Sequence, residues 1–395
     1  MSKKVILNSQ CLPKKNYHCG NAVSHIVSEI SYLFFTEFDK KNDFYFVNDS
    51  WNLHGLPFET MYVEEFGLNI NYEKIKDFAE KHINYAKHEK SFFSNIKLDS
   101  NIIEHSDTDP EFIRYTTDIF HKLIDSKTII KTGNHYSLDL LSIKNNLNFD
   151  GIKIFPSQHR TTIVNDSKMI NGLYPITKNR VFSPGINIDN INHVINPIFQ
   201  SFIYPLYISE KYGFNYPVFL FTSSSGHGML KWHYLRNIVS FALSQNCPYE
   251  NLVLHGNILG ANNRRMSKHD NNVVKPSDLY KILPDRRFVR HVLIKSISDK
   301  DLMLQTNISF SEFNKIKNKL DIIHTNEFTI LNPKNLSVTL ASIKNDLKNF
   351  KIKKAFDCFV DCVRKAQVVQ TADSVVDGEV LELIKICNVF YGNKK

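Results

Sequence analysis

Residues 264–268, Arg264-Arg265-Met266-Ser267-Lys268, crowd three cations beside a small hydroxyl. They lie between two turn-rich segments, Gly260-Ala261-Asn262-Asn263 and His269-Asp270-Asn271-Asn272. Such a loop suits a polyphosphate, because Arg and Lys spread over phosphate oxygens as charge builds up in phosphoryl or nucleotidyl transfer. Taken alone, a short basic loop is more often a solvated surface loop. A second stretch points the same way. His18-Cys19-Gly20-Asn21 precedes an apolar-periodic run with Ala22, Val23, Ile26, Val27 and Ile30. A helix starting there would offer its N-terminus to phosphate, with His18 and Asn21 as hydrogen-bonding side chains. Gly20 would let a flat base or ribose come close.

The flanking elements have to position these groups. Residues 4–7 read as a strand, followed by a turn-rich loop over 8–15 that holds Pro13. Residues 44–47 read as a second strand, and residues 74–97 as a charged helix. Thr108 or Asp109 caps a further helix with Pro110 in its first turn. Residues 218–222 form a buried parallel strand, and a helix over 229–243 follows. The basic loop itself comes after a strand-like run at 251–254 and opens with His255-Gly256. Beyond Thr339, Ile343, Leu347, Phe350, Phe356, Val360, Val363, Val380, Leu383 and Ile384 have the spacing of two or three short amphipathic helices. Lys344, Lys348, Lys351, Lys353 and Lys354 give those helices a basic side, either a solvated face or a nucleic-acid contact.

With 395 residues, 42% of them apolar and 12% aromatic, the chain has enough material for two or three globular domains. A formal net charge of +9 favours a polyanionic partner, nucleic acid before membrane. No signal peptide and no run of transmembrane length is recognised. The six cysteines are scattered and fit reduced thiols in a cytoplasm. Cys358 and Cys362 have helical spacing, and without a second Cys or His pair they read as core packing rather than zinc.

Taken in order, these blocks resemble the class I aminoacyl-tRNA synthetases, with the methionine, leucine, isoleucine and valine enzymes closest in wording. His18-Cys19-Gly20-Asn21 is similar to that family's HIGH motif, and Arg265-Met266-Ser267-Lys268 to its KMSKS motif. Trp51-Asn52-Leu53-His54-Gly55-Leu56-Pro57-Phe58-Glu59 is similar to its G-W-D-x-H-G-L-P-I-E segment. Residues 173–182 look like the point where the core resumes after the family's connective insertion, and Trp232-His233 matches an aromatic-His pair. The chain departs from the pattern in three places. Asn52 stands where an acid holds the substrate ammonium, no acid occupies 226–228 for the ATP ribose, and Arg265 and His269 alter the signature loop.

The resemblance implies an α/β fold: a Rossmann-like parallel sheet split by a short connective insertion, plus a small helical C-terminal domain. The implied boundaries are 1–95 and 173–275 for the core halves, 96–172 for the insertion, 276–335 for a stem-contact segment and 336–395 for the helical domain. The insertion is too short for an editing domain and carries no cysteine over 134–168, so neither proofreading nor an insertion zinc is expected. The implied reaction joins an amino or related carboxylic acid to ATP with Mg²⁺, giving an acyl-adenylate that is then transferred to tRNA. His18, Asn21, Arg265 and Lys268 would be catalytic. Gly20, Gly226, His255, Gly256, Met266 and Ser267 would bind ATP, and Pro13, Trp51, Asn52, His54 and Trp232 the acid. Two alternatives stay open: ligation of the acid to a small amine, and a tRNA-binding relative impaired in catalysis.

Overall fold

A computed structural model describes residues 1–9, 17–53, 56–67, 72–96, 101–143, 151–169, 172–179, 193–225, 230–260, 263–266, 272–325, 328–330, 335–370 and 378–392. Pro13, His54, Gly226, Ser267 and Lys268 lie outside the described residues. The chain begins β1 (Ser2–Asn8), α1 (Cys19–Phe38), β2 (Asn42–Trp51), α2 (Leu56–Phe66) and α3 (Tyr72–Ser91). Then come β3 (Ile102–Ser106), α4 (Pro110–Asp125), β4 (Ile129–Thr132), β5 (His135–Asp139), α5 (Leu140–Ile143), β6 (Lys153–Phe155) and α6 (Gln158–Met169). The next elements are β7 (Leu173–Pro175), β8 (Thr177–Asn179), β9 (His193–Ile195), α7 (Pro197–Tyr212), β10 (Val218–Ser224), α8 (Leu230–Ser244) and β11 (Tyr249–His255). After β12 (Ile258–Leu259) follow α9 (Pro276–Ile282), α10 (Arg286–Lys295), β13 (Leu302–Met303), α11 (Thr306–Ile323), β14 (Phe328–Ile330), α12 (Leu336–Lys348), α13 (Ile352–Lys365), β15 (Val368–Gln370) and α14 (Gly378–Tyr391).

The chain divides into two compact units. The first holds Met1–Lys15, Tyr45–Lys87 and Ser100–Leu254. Its sheet has the order β3-β2-β1-β10-β11-β6, and the pairs β2–β3, β1–β10 and β6–β11 are parallel. Val5, Ile6 and Leu7 are all fully buried, as an unbroken apolar run should be in a sheet covered on both faces. Leu7, Val47, Phe199, Phe221, Leu235 and Leu252 belong to one core cluster, each burial contributing roughly 1.5–3 kcal/mol. The strand order reverses between β1 and β10, and an open α/β sheet binds ligands beyond the strand ends at such a reversal.

Helix α4 starts as its residues require: Asp109 caps it by accepting the Glu111 N–H at 3.0 Å, and Pro110 occupies the first turn. The boundaries implied for the insertion differ from the structure. β3 and β6 both arise within 96–172, yet both are parallel strands of the main sheet. Only β4, β5 and β7 form a separate antiparallel sheet there, with β7 lying just past residue 172. β6 is three residues long, too short for a periodicity signal, and its register against β11 is a long-range fact.

The second unit holds Asn16–Phe44, His88–Asp99 and His255–Lys395. The C-terminal segment is helical as expected, and α1 packs in the same unit against α10, α12 and α14. A buried ion pair ties these elements together. Arg290 and Glu29 are both fully buried and paired, and Arg290 also donates to the Phe93 and Phe390 carbonyls at 2.8 and 2.6 Å.

Candidate active site

In the second unit the start of α1 is built by its own motif. His18 has extended backbone angles (φ −129°, ψ 170°), and its Nδ1 accepts the Gly20 N–H at 3.1 Å. Asn21 Oδ1 accepts the His18 N–H at 3.4 Å, completing a reciprocal cap. Because Nδ1 is an acceptor, the neutral His18 ring carries its proton on Nε2. No acid stands in the first turn of α1 itself, although Asp278 and Glu89 lie near enough to add to burial in raising the Cys19 thiol pKa. The room that Gly20 leaves is taken by the His18 ring. A Cβ on Gly20 would lie 2.9 Å from two of its atoms.

The signature segment packs beside this start. The Cys19 N–H donates to the Val274 carbonyl at 2.9 Å, and Ile258 lies 3.9 Å from where a Gly20 Cβ would be. Ser24 Oγ and His255 Nε2 are 2.6 Å apart, while His255 Nδ1 is 2.9 Å from the Gly256 carbonyl. The carbonyl can only accept, so Nδ1 carries the proton and Nε2 accepts from Ser24. Burial lowers the His255 pKa, which keeps this tautomer neutral.

The base of the signature loop is clamped by main chain. Gly256 N donates to the Ser298 carbonyl at 2.7 Å, and a Cβ on Gly256 would sit 2.0 Å from the Lys300 carbonyl oxygen. Asn257 places its N–H and its amide each 2.8 Å from Asp301 Oδ1. Gly260 N donates to the Arg264 carbonyl at 2.8 Å, and Asn272 Nδ2 to the Arg265 carbonyl at 3.0 Å. Arg264 and Arg265 are exposed, whereas Met266 is buried. The described part of the loop therefore presents its cations to solvent and anchors through Met266 and the backbone. That arrangement can meet phosphate oxygens.

The first unit carries the remaining described candidates, Trp51 and Asn52 at the carboxyl end of a strand and Trp232 on α8. Ser9 and Ser223 hydroxyls meet at 3.0 Å beyond β1 and at the end of β10. Trp51 ends β2 and is buried, with Asn52 next to it. Asp107, which the sequence reading passed over, lies just after β3. Its N–H donates to the Trp51 carbonyl at 3.0 Å, and its Oδ1 accepts the Leu53 N–H at 2.8 Å. Gln200 Nε2 donates to the Asp107 carbonyl at 3.2 Å. The available signal was an acid in Ser106-Asp107-Thr108-Asp109-Pro110, shortly after the apolar pair Ile102-Ile103. Trp232 is half-buried and packs on the core cluster. The adjacent His233 is fully enclosed, its Nδ1 2.8 Å from the Tyr249 hydroxyl.

On the basic helices, Lys344 pairs with Glu382, Lys353 with Asp357 at 2.7 Å, and Lys354 with Asp346 at 3.0 Å. Much of the charge read as a nucleic-acid face is thus met by acids of the same unit. Among the described residues no group of three His, Cys, Asp or Glu side chains is placed to hold a metal ion. No helix among them is long and apolar enough to cross a membrane.

Residues 201–333 match the sequence model of the class I tRNA synthetases (I, L, M and V). No curated protein matches the chain. Among solved structures, the methionyl-tRNA synthetase of Mycobacterium tuberculosis in complex with methionyl-adenylate is similar at 15% identity and a TM-score of 0.72, over 98% of this chain and 90% of that one. A second structure of that synthetase bound by methionyl-adenylate gives 14% identity and a TM-score of 0.72 over 98% and 89%. A LeuRS of Agrobacterium radiobacter in a ternary complex with tRNA and LeuAMS gives 10% identity and a TM-score of 0.69 over 99% and 84%. At these identities the likeness to solved structures shows the fold.

Proposed function

We propose that this chain, a member of the class I tRNA synthetase family, activates an amino acid or related carboxylic acid with ATP and transfers it to the 3′ end of a tRNA. One observation carries this reading. The start of α1, capped by His18 and Asn21, lies in the same unit as the anchored loop that presents Arg264 and Arg265. The substrate carboxylate attacks the α-phosphorus of ATP, the bond to the bridging oxygen breaks, and pyrophosphate leaves. His18 Nε2–H and the Asn21 amide donate to phosphate oxygens. Arg265 and Lys268 balance the charge that grows on the pyrophosphate. Gly20, Gly226, His255, Gly256, Met266 and Ser267 are assigned to the nucleotide, Gly20 and Gly256 by shaping the chain around them, and Pro13, Trp51, Asn52, His54 and Trp232 are assigned to the acid. Mg²⁺, where bound, would be carried by the nucleotide phosphates and would supply charge neutralisation there, since among the described residues no group of three His, Cys, Asp or Glu side chains is placed to hold it.

The LeuRS complex with tRNA supports tRNA as acceptor. A small amine is the second reading, favoured by the lysines at 344, 353 and 354 already being paired with acids. A pyrophosphate-exchange screen over the standard amino acids, with and without bulk tRNA, tests both. Exchange with at least one amino acid is expected, followed by transfer of label to tRNA. Exchange without transfer to any tRNA moves the acceptor to a small amine, and no exchange at all removes activation.

A further inference from the structure

We propose that the substrate carries a side chain with a neutral hydrogen-bonding group, a carboxamide or a hydroxyl, received by His233 and Asn237 on α8. The inference rests on the activation reading above and names its substrate class.

The helix puts these two residues four apart, on one face. That face meets the sheet, because the His233 ring stands edge-on to Phe221 of β10 at 5.9 Å and to Tyr249 of β11 at 6.0 Å. A helix face against a parallel sheet is normally apolar, and this one is not. His233 Nδ1 lies 2.8 Å from the Tyr249 hydroxyl and 3.1 Å from Arg236 Nη1. A guanidinium only donates, so Nδ1 must hold a lone pair. Burial, and then the Arg236 charge, keep the ring neutral, so its proton sits on Nε2. That Nε2–H is buried and has no acceptor among the described residues. One turn on, Asn237 is 0% exposed, and neither its amide oxygen nor its amide nitrogen has a partner among the described residues.

Leaving such groups unmet is expensive, and a leucine at 237 would fill the same space with none of them. The three unmet groups have a definite complement. His233 Nε2–H and the Asn237 NH₂ are donors, and the Asn237 carbonyl is an acceptor. A carboxamide satisfies all of them, and a hydroxyl satisfies most. A hydrocarbon side chain satisfies none, and a carboxylate leaves the Asn237 oxygen opposed. An ammonium is disfavoured by the neighbouring guanidinium. Arg236 is itself buried, and its charge meets the Ser201 carbonyl at 2.9 Å and the Phe221 ring at 4.6 Å rather than a carboxylate. The location suits a substrate, since α8 follows β10, a strand at the reversal point of the sheet.

Equilibrium dialysis of labelled glutamine, asparagine, serine, threonine, methionine, leucine, isoleucine, valine, glutamate and aspartate against the full chain, run beside pyrophosphate exchange, tests this. At least one carboxamide or hydroxyl amino acid should bind at least tenfold tighter than every hydrocarbon one. Asn237→Leu should shrink that preference at least tenfold while leaving the melting temperature equal or higher. Asn237→Ser, which keeps a hydroxyl, should retain the order of preference. Tightest binding of a hydrocarbon or acidic amino acid overturns the proposal. So does an Asn237→Leu variant that melts higher with an unchanged preference, because the unmet groups then face only internal water. Polar-selective binding without exchange would sink activation and leave this pocket standing. Exchange with a hydrocarbon amino acid would do the reverse, and binding of none would remove both.

Discussion

Replacing Arg290 with Met should loosen the element that carries His18. Arg290 and Glu29 are each 0% exposed and paired. The guanidinium also donates to the carbonyls of Phe390 at 2.6 Å, Phe93 at 2.8 Å and Val389 at 3.4 Å. Glu29 further accepts Ser94 Oγ at 2.8 Å and the Asn95 N–H at 3.0 Å. The cluster therefore joins α1 to α10, to α14 and to the turn after α3. Burial alone would push the Glu29 carboxyl up, but the Arg290 charge and then the His25 bond outweigh it and hold it well below the usual range. Met fills similar volume and leaves a buried carboxylate uncompensated, which costs about 3–5 kcal/mol. The pH dependence follows from the sign of the shift. In the parent, a folded value below the ordinary 4.5 contributes stability that is present above 4.5 and lost as pH falls towards about 2. In Arg290→Met, burial is opposed only by the remaining His25 and Asn95 contacts, so the folded value rises and acid relieves the strain by protonating Glu29. Denaturant melts should therefore show the full deficit near about pH 7 and a smaller one near about pH 4, with Glu29→Leu added to Arg290→Met recovering most of it. A loss under about 1 kcal/mol, or one equal at both pH values, would refute the reasoning.

Other changes probe the site itself. Lys268→Ala should slow adenylate formation by roughly 3–4 kcal/mol in pyrophosphate exchange with little change in melting, and unaltered exchange would remove its assigned role. Gly256→Ala forces a Cβ to within 2.0 Å of the Lys300 carbonyl and should destabilise by about 1–3 kcal/mol in a thermal melt, so an unshifted transition would contradict the clamp. Binding of tRNA should weaken steeply with salt and vanish when Lys348, Lys351, Lys353 and Lys354 become Glu, whereas salt-independent binding would point to another surface. Asn52→Asp should improve exchange with a standard amino acid by roughly one to two orders of magnitude if Asn52 meets the substrate ammonium, and no response would place it elsewhere.

What the sequence disclosed follows from how far each interaction reaches along the chain. The cap of α1 is spelled within four residues, and β1, β10 and α8 announce themselves by continuous apolar or periodic runs. Such features rest on neighbours in sequence, so their residue types suffice. The strands β3 and β6 inside the expected insertion do not, because membership of a sheet is decided by a partner strand far away. Asp107 belongs to the same class. Its hydrogen bonds run back to Trp51 and Leu53, and in sequence it is one polar residue among several before a helix cap. The Arg290–Glu29 pair spans 261 positions and could not be read from either end. The amphipathic reading of the C-terminal helices identified a basic side, but it could not see Glu382 or Asp346 supplying the counter-charges.

The glycines show why a motif can name a place without explaining it. Read as letters, Gly20 and Gly256 suggest room left for a nucleotide. In the fold, the space beside Gly20 is filled by the His18 ring, and that beside Gly256 by the backbone at Lys300. Gly260 is similar, with Asn272 2.4 Å from where its Cβ would stand. Each glycine lets one piece of this chain press on another. The result is a loop whose base is fixed by the Ser298 carbonyl and by the side chains of Asp301 and Asn272 bonding to main chain, while Arg264 and Arg265 are exposed. A phosphate ligand meeting such a loop does not have to order its base, so more of the interaction energy remains for the charge that develops during transfer. The glycines thus serve the chemistry by way of stiffness rather than by leaving open room.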